Sequence, residues 1–162
     1  MKELAIFGST GSIGCSTLNV VRRHRDRFAV SILAAGRNLQ RLIEQILEFN
    51  PRHVYIIGEK DAAVLKALFP GLDIYRGEDG MDKVSRLTDF DIGVSALVGV
   101  AGLRPTWNMI QNGKTVALAN KEVLVAGGRL VMEAARKQGA ALLTVDSEHS
   151  AIMQCLRGEN HG

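Results

Sequence analysis

Seven residues near the start of the chain, Gly8-Ser9-Thr10-Gly11-Ser12-Ile13-Gly14, constrain its fold more than any others. They follow a short apolar run at residues 4–7 and open a stretch with helical periodicity. Between a strand and a helix, glycines at this spacing let the backbone turn sharply, approach a pyrophosphate closely and bring the helix against the strand. The start of the helix adds N–H groups without intrahelical partners and a partial positive charge, which together suit an anion. Thr10 and Ser12 can add hydroxyl donors. The spacing is G-x-x-G-x-x-G, one residue longer at the front than the common dinucleotide fingerprint. Glycines also serve purely structural turns, but this position, after the first strand of a βαβ unit, favours a dinucleotide site.

The rest of the sequence repeats the same alternation. Largely apolar runs at 29–35, 54–57, 92–95, 115–119 and 141–145 predict strands, and 73–75 a weak one. Helices are expected at about 12–25, from 39 to the Asn50-Pro51 break, and at 61–69, 80–87, 103–111 and 122–137. Leu39, Leu42, Ile43, Ile46 and Leu47 recur at helical spacing, with Asn38 placed to cap that helix. The inner faces are expected to be Ile13, Thr17, Val20 and Val21 in the first helix, Val64, Leu65 and Leu68 in the third, and Leu124, Gly128, Val131 and Ala135 in the last. Gly139 is the expected stop of that last helix. Strands that are apolar throughout are buried on both faces. The predicted fold class is therefore α/β: a doubly wound, mostly parallel Rossmann-type sheet with helices on both faces. Right-handed crossovers then gather the strand carboxyl ends on one edge, where ligands bind.

Composition narrows the function. The chain has 162 residues, of which 46% are hydrophobic and 23% charged, so it is globular rather than disordered. Twenty basic against 17 acidic side chains leave +3, a bias that suits an anionic small ligand as well as anything larger. Arg22, Arg23, His24, Arg25 and Arg27 cluster at the expected end of the first helix. Cations complement the dipole there, so a solvated helix end is expected; few aromatics interleave, so nucleic acid is not an expected partner. No apolar stretch approaches the roughly 20 residues that span a bilayer. No signal or transit segment is evident, and Cys15 and Cys155 lack metal-type or disulfide spacing. A cytoplasmic setting without membrane attachment is expected. Cys15 is expected to be a small buried side chain, and Trp107 to be packing.

The end of the second strand discriminates between cofactors. A carboxylate about 20 residues beyond the glycine loop holds the ribose of NAD, but none occurs between Asp26 and Glu44. The strand ends Ala34-Ala35-Gly36-Arg37-Asn38 instead, and the Arg37 guanidinium suits a ribose phosphate. NADPH is favoured over NADH on that ground; the plainer reading of Arg37 is a solvated loop residue. Two further segments fall at predicted carboxyl ends. Asn120 and Glu122 can serve as a helix cap and a first-turn acid, whereas Lys121 opposes the dipole there, which an anionic substrate would explain. Asp146 and Glu148, two apart in extended chain, can converge on one hard divalent cation, or can merely cap and open a helix. His149 is expected to be structural.

Residues 4–17, LAIFGSTGSIGCST, with Ala35-Gly36-Arg37-Asn38, Val98-Gly99-Val100-Ala101-Gly102-Leu103, Ala119-Asn120-Lys121-Glu122 and Val145-Asp146-Ser147-Glu148-His149, resemble 1-deoxy-D-xylulose 5-phosphate reductoisomerase in order and spacing. The resemblance covers the N-terminal part of that family's chain. It implies conversion of 1-deoxy-D-xylulose 5-phosphate, a small phosphorylated sugar, to 2-C-methyl-D-erythritol 4-phosphate for isoprenoid synthesis. It also implies NADPH, a divalent cation (Mg²⁺, Mn²⁺ or Co²⁺) and a homodimer for the full-length enzyme. By motif match, Thr10, Gly11, Ser12 and Ile13 would meet the cofactor pyrophosphate, and Gly36, Arg37 and Asn38 its adenosine phosphate end. Asn120 and Glu122 would also touch NADPH. Lys121, Ser147 and Glu148 would meet substrate, Asp146 and Glu148 would hold metal, and Lys121 and Glu148 would be catalytic. Residues 1–145 would then be the NADPH-binding domain and 146–162 the truncated start of a catalytic domain. On that expectation the chain alone binds cofactor and turns over little or nothing. The alternatives are another NADP-linked reductase of the same sheet type and a non-catalytic dinucleotide-binding module.

Overall fold

Apolar side chains at successive strand positions must be covered on both sides, and the sheet that forms does this. The computed structural model describes residues 1–119 and 122–145. At its centre lies β1 (Lys2–Phe7), flanked by β2 (Phe28–Ala35) and β5 (Ile92–Ser95). Beyond β2 come β3 (His53–Ile56) and β4 (Asp73–Arg76); beyond β5 come β6 (Thr115–Leu118) and β7 (Leu142–Thr144). The order is β4-β3-β2-β1-β5-β6-β7, with every neighbouring pair parallel. The chain winds outward from β1 to β4, then returns to the other side of β1. The order in which strands are added therefore reverses at β1, which is where such sheets open a ligand crevice.

The helices divide between the faces. On one, α1 (Ser12–Arg23), α2 (Leu39–Phe49) and α3 (Glu59–Leu68) bring Leu18, Val21, Leu42, Ile46 and Leu65 onto Leu4, Ile6 and Leu33. On the other, α4 (Gly77–Ser85), α5 (Leu103–Gln111) and α6 (Glu122–Gln138) bring Val84, Met109, Ile110 and Val131 onto Ala5, Phe7 and Ile32. Alternate residues of β1 thus feed two separate cores, and each fully buried large side chain contributes about 1.5–3 kcal/mol.

Helix ends follow the sequence closely. The Asn38 side chain accepts the Arg41 amide at 3.1 Å and so caps α2; Asn50 ends it in the left-handed region at φ 47°. Beyond α6, Ala140 N–H returns to the Ala135 carbonyl at 2.9 Å, the closing bond of a helix stopped at Gly139. A non-helical Gly127 (φ −138°, ψ 18°) kinks α6, and Val98-Gly99 leads into a 3₁₀ turn over Gly99–Gly102.

Two helical faces differ from expectation. In α1 the buried stripe is Gly14, Leu18 and Val21, while Ile13 and Val20 are exposed. Gly14 has to face the loop it packs against, and this fixes the rotation of the helix. In α3 only Ala62 and Leu65 are buried, and Val64 and Leu68 face solvent. That helix covers the outer strands β3 and β4, where the sheet ends and leaves only a narrow surface to cover. Leu47 of α2 is likewise exposed. The basic cluster is more than a solvated end: Arg25 bonds Glu48 of α2 at 3.0 Å, Arg22 pairs with the same carboxylate, and both guanidinia stack on Phe49.

Candidate functional site

The loop between β1 and α1 is pinned at its root. The amides of Gly8 and Ser9 both donate to the Ala34 carbonyl of β2, at 2.8 and 2.9 Å, and the Gly11 amide donates to the Gly8 carbonyl at 3.1 Å. Gly8 sits at φ +95°, and a Cβ there would lie 2.5 Å from the Ala96 carbonyl oxygen. A Cβ on Gly14 would lie 2.3 Å from the Gly8 carbonyl oxygen. These two glycines are required by the protein's own packing. Gly11 differs: its φ of −78° is open to any residue, and it stands exposed at the N-cap of α1.

This helix start is bare. No side chain caps α1, and its first turn carries no acidic residue. Among the described residues, the amides of Thr10, Ser12 and Ile13 donate to no protein acceptor. They are free donors of the loop, whereas Gly11 has spent its amide internally. An anion placed before them gains both hydrogen bonds and the helix dipole.

On either side of the loop the carboxyl edge is hollow. A cleft of about 230 Å³ runs between Gly11, Ser12 and Ile13 on one side and Ala96, Leu97, Val98 and Glu122 on the other. A larger cavity, about 530 Å³, opens past the end of β2 between Gly36, Tyr55, Glu78, Met81, Leu97 and Arg104. Burial pushes the Tyr55 phenol above its ordinary range, with the Glu78 carboxylate adding to the shift. Tyr55 forms part of the cavity wall. Arg104 is held at 2.9 Å by Asp82 of α4. Beside this cavity Arg37 is exposed and has no ion-pair partner among the described residues. Asn38 has committed its side-chain oxygen to the α2 cap.

Of the residues singled out from sequence, Thr10, Gly11, Ser12, Ile13, Gly36, Arg37, Asn38 and Glu122 thus lie along one edge of the sheet. Asn120, Lys121, Asp146, Ser147 and Glu148 lie outside the described residues; the strands that lead to them, β6 and β7, end on this same edge. Cys15 is half-buried rather than buried, with its sulfur 3.6 Å from the Ser9 carbonyl oxygen. Sequence reasoning passed over Tyr55, Glu78 and Gln45. Gln45 carried a signal: a polar residue three positions after Leu42, inside an apolar helical stripe.

The family model for 1-deoxy-D-xylulose 5-phosphate reductoisomerase matches residues 4–128. The chain belongs to this family. A curated 1-deoxy-D-xylulose 5-phosphate reductoisomerase of Bacillus cereus (strain Q1) is 46% identical over 160 residues, covering 99% of this chain and 42% of that protein. The crystal structure of DOX-P reductoisomerase in complex with NADPH, fosmidomycin and magnesium matches with a TM-score of 0.90 at 37% identity, covering 96% of this chain and 39% of that one. The reductoisomerase from Zymomonas mobilis in complex with NADPH gives 0.89 at 39% identity, covering 99% and 42%. The chain spans about two fifths of the length of the reductoisomerases it matches. The Rossmann-type sheet expected from the sequence is the sheet these neighbours share, and here all of its strand pairs are parallel.

Proposed function

We propose that this chain forms the NADPH-binding part of an enzyme that converts 1-deoxy-D-xylulose 5-phosphate to 2-C-methyl-D-erythritol 4-phosphate. The observation that carries the reading is the bare start of α1, set by a close-packed glycine loop at the point where the strand order reverses. The residues present fit a dinucleotide diphosphate: unpartnered amides at Thr10, Ser12 and Ile13, no competing carboxylate in the first turn, and hollows on both sides for the two nucleoside halves.

In this reading Thr10, Ser12 and Ile13 hold the pyrophosphate, and Gly11 leaves room for it. The adenosine half lies in the larger cavity beyond Gly36. Arg37 takes the ribose phosphate, and Asn38 fixes the turn that presents Arg37. Asn120 and Glu122 approach the cofactor from β6, and Lys121 neutralises the substrate. NADPH, when bound, supplies the hydride. Asp146 and Glu148 are the assigned metal ligands, with Ser147 and Glu148 on substrate. Among the described residues no three His, Cys, Asp or Glu side chains come together as a metal site; Asp146 and Glu148 lie outside those residues. Residues 1–145 form the cofactor domain and 146–162 begin the metal and substrate domain. The whole enzyme is a cytoplasmic homodimer that uses Mg²⁺, Mn²⁺ or Co²⁺.

Arg37→Ala tests the cofactor choice. A charge-assisted contact of about 1.5–3 kcal/mol corresponds to a roughly ten- to hundredfold loss of NADPH affinity by calorimetry, with NADH affinity unchanged. Equal losses for both nucleotides remove the phosphate assignment.

A further inference from the structure

We propose that Gln45 is a positioning residue for the cofactor: it fixes the direction of the Thr10 amide and so readies the loop for a diphosphate. The proposal rests on the NADPH reading above.

Gln45 lies in α2 between Leu42 and Ile46 and is 6% exposed. A long polar side chain buried there gives up its water and needs a hydrogen bond in return. Its Nε2 donates to the Ser9 carbonyl at 2.9 Å, across 36 positions of sequence. The Oε1 at the other end of the amide is buried without a partner, and the remaining contact of Nε2 is a long one to the Cys15 sulfur at 4.0 Å, so the Ser9 bond is the main constraint on its orientation.

The consequence follows from the geometry of the peptide. In a trans peptide the C=O and the next N–H point in opposite directions, and the described residues contain no cis bonds. Holding the Ser9 carbonyl on α2 therefore turns the Thr10 N–H away from α2. Neighbouring peptides of the loop are fixed by its own bonds: the Gly8 and Ser9 amides go to Ala34, and the Gly11 amide to Gly8. The Ser9–Thr10 peptide is the one in between, and its carbonyl is held by Gln45 with a weaker contribution from the Cys15 sulfur at 3.6 Å. Arg41, one turn earlier in α2, adds a long 3.4 Å contact to the next carbonyl, that of Thr10. An amide already aimed at its acceptor loses no orientational freedom when the anion arrives, which is how a preorganised donor gains affinity.

Gln45→Met removes the donor at nearly constant volume. Calorimetric titration of the 162-residue chain compares NADPH with adenosine 2′-monophosphate, which carries the adenosine end without the diphosphate. NADPH affinity falls about tenfold, and adenosine 2′-monophosphate affinity stays within about twofold of the parent. Unchanged NADPH affinity overturns the proposal, and so does a parallel loss for both ligands, the mark of general damage. Amide NMR of the unaltered chain gives a second readout that needs no variant. NADPH shifts the Thr10 amide and adenosine 2′-monophosphate leaves it in place; a Thr10 amide indifferent to NADPH overturns the proposal even where Gln45→Met fails to fold. A parent chain that binds NADPH beside an indifferent Gln45→Met removes this inference alone, whereas a parent that binds no NADPH removes the cofactor reading with it.

Discussion

A methyl group at position 14 would be wedged against Gly8 and Ser9, and the atoms it meets are backbone that no side-chain rotation can move aside. The helix would have to lift or turn. Because Gly14 also sets which side of α1 faces the sheet, a turn would carry Leu18 and Val21 out of the core. Gly14→Ala is expected to cost about 1–3 kcal/mol, read as a fall of roughly 2–12 °C in thermal midpoint, with NADPH binding lost. Gly128→Ala is the contrast. It lies in α6 with nothing within 4 Å of the added carbon, and a helix gains from alanine there by about 0.5–1 kcal/mol. If both variants melt together, close packing at the loop is not what Gly14 provides.

Between elements, the amino edge of the sheet is tied by charge. Asp89, just before β5, accepts Ser31 of β2 at 3.1 Å, His53 of β3 at 2.9 Å and Arg52 at 3.1 Å. Burial alone would raise its carboxyl, but the His53 ring and the hydrogen bonds from His53 and Ser31 outweigh it and hold the group below its ordinary range. A lowered carboxylate contributes stability that is present above its unfolded value near 4 and is lost as pH falls through the folded value. The thermal midpoint should therefore decline below about pH 4. Asp89→Asn should start lower at pH 7 and decline less over the same range. An acid limb identical in the two proteins would mean that the network is not what acid breaks.

The same ties show what the sequence can and cannot disclose. The strands were legible because residues 4–7 and 54–57 are apolar without alternation and 29–35 nearly so, and Asn38 and Asn50 announced the ends of α2. The glycine loop announced the close-packed turn between β1 and α1. The face of α1 was misread because periodicity gives the width of an apolar stripe but not its rotation, which a packing contact at Gly14 decides. Pairs such as Gln45 with Ser9 or Arg25 with Glu48 join residues far apart in sequence, and neither member signals its partner. Tyr55 and Glu78 escaped notice for a similar reason: each looks ordinary until β3 and α4 are placed around one cavity.

For the molecule as a whole, binding and folding are one equilibrium. The loop, the larger cavity and Arg37 draw on β1, β2, β3, α1, α4 and α5, so the proposed site exists only when the sheet has formed on both sides of β1. A ligand that binds the folded chain alone stabilises it by about 2.7 kcal/mol at a hundred times its dissociation constant. For a chain of this length that corresponds to a midpoint roughly 5–11 °C higher. Saturating NADPH is expected to produce this rise in the 162-residue chain, and NADH at equal concentration a smaller one. Deoxyxylulose phosphate and Mn²⁺ added to the NADPH-bound chain should leave NADPH unoxidised in steady-state absorbance, since the matched reductoisomerases are more than twice as long. A chain that melts at the same temperature with and without NADPH would show that the cofactor domain, as assigned, does not hold its cofactor.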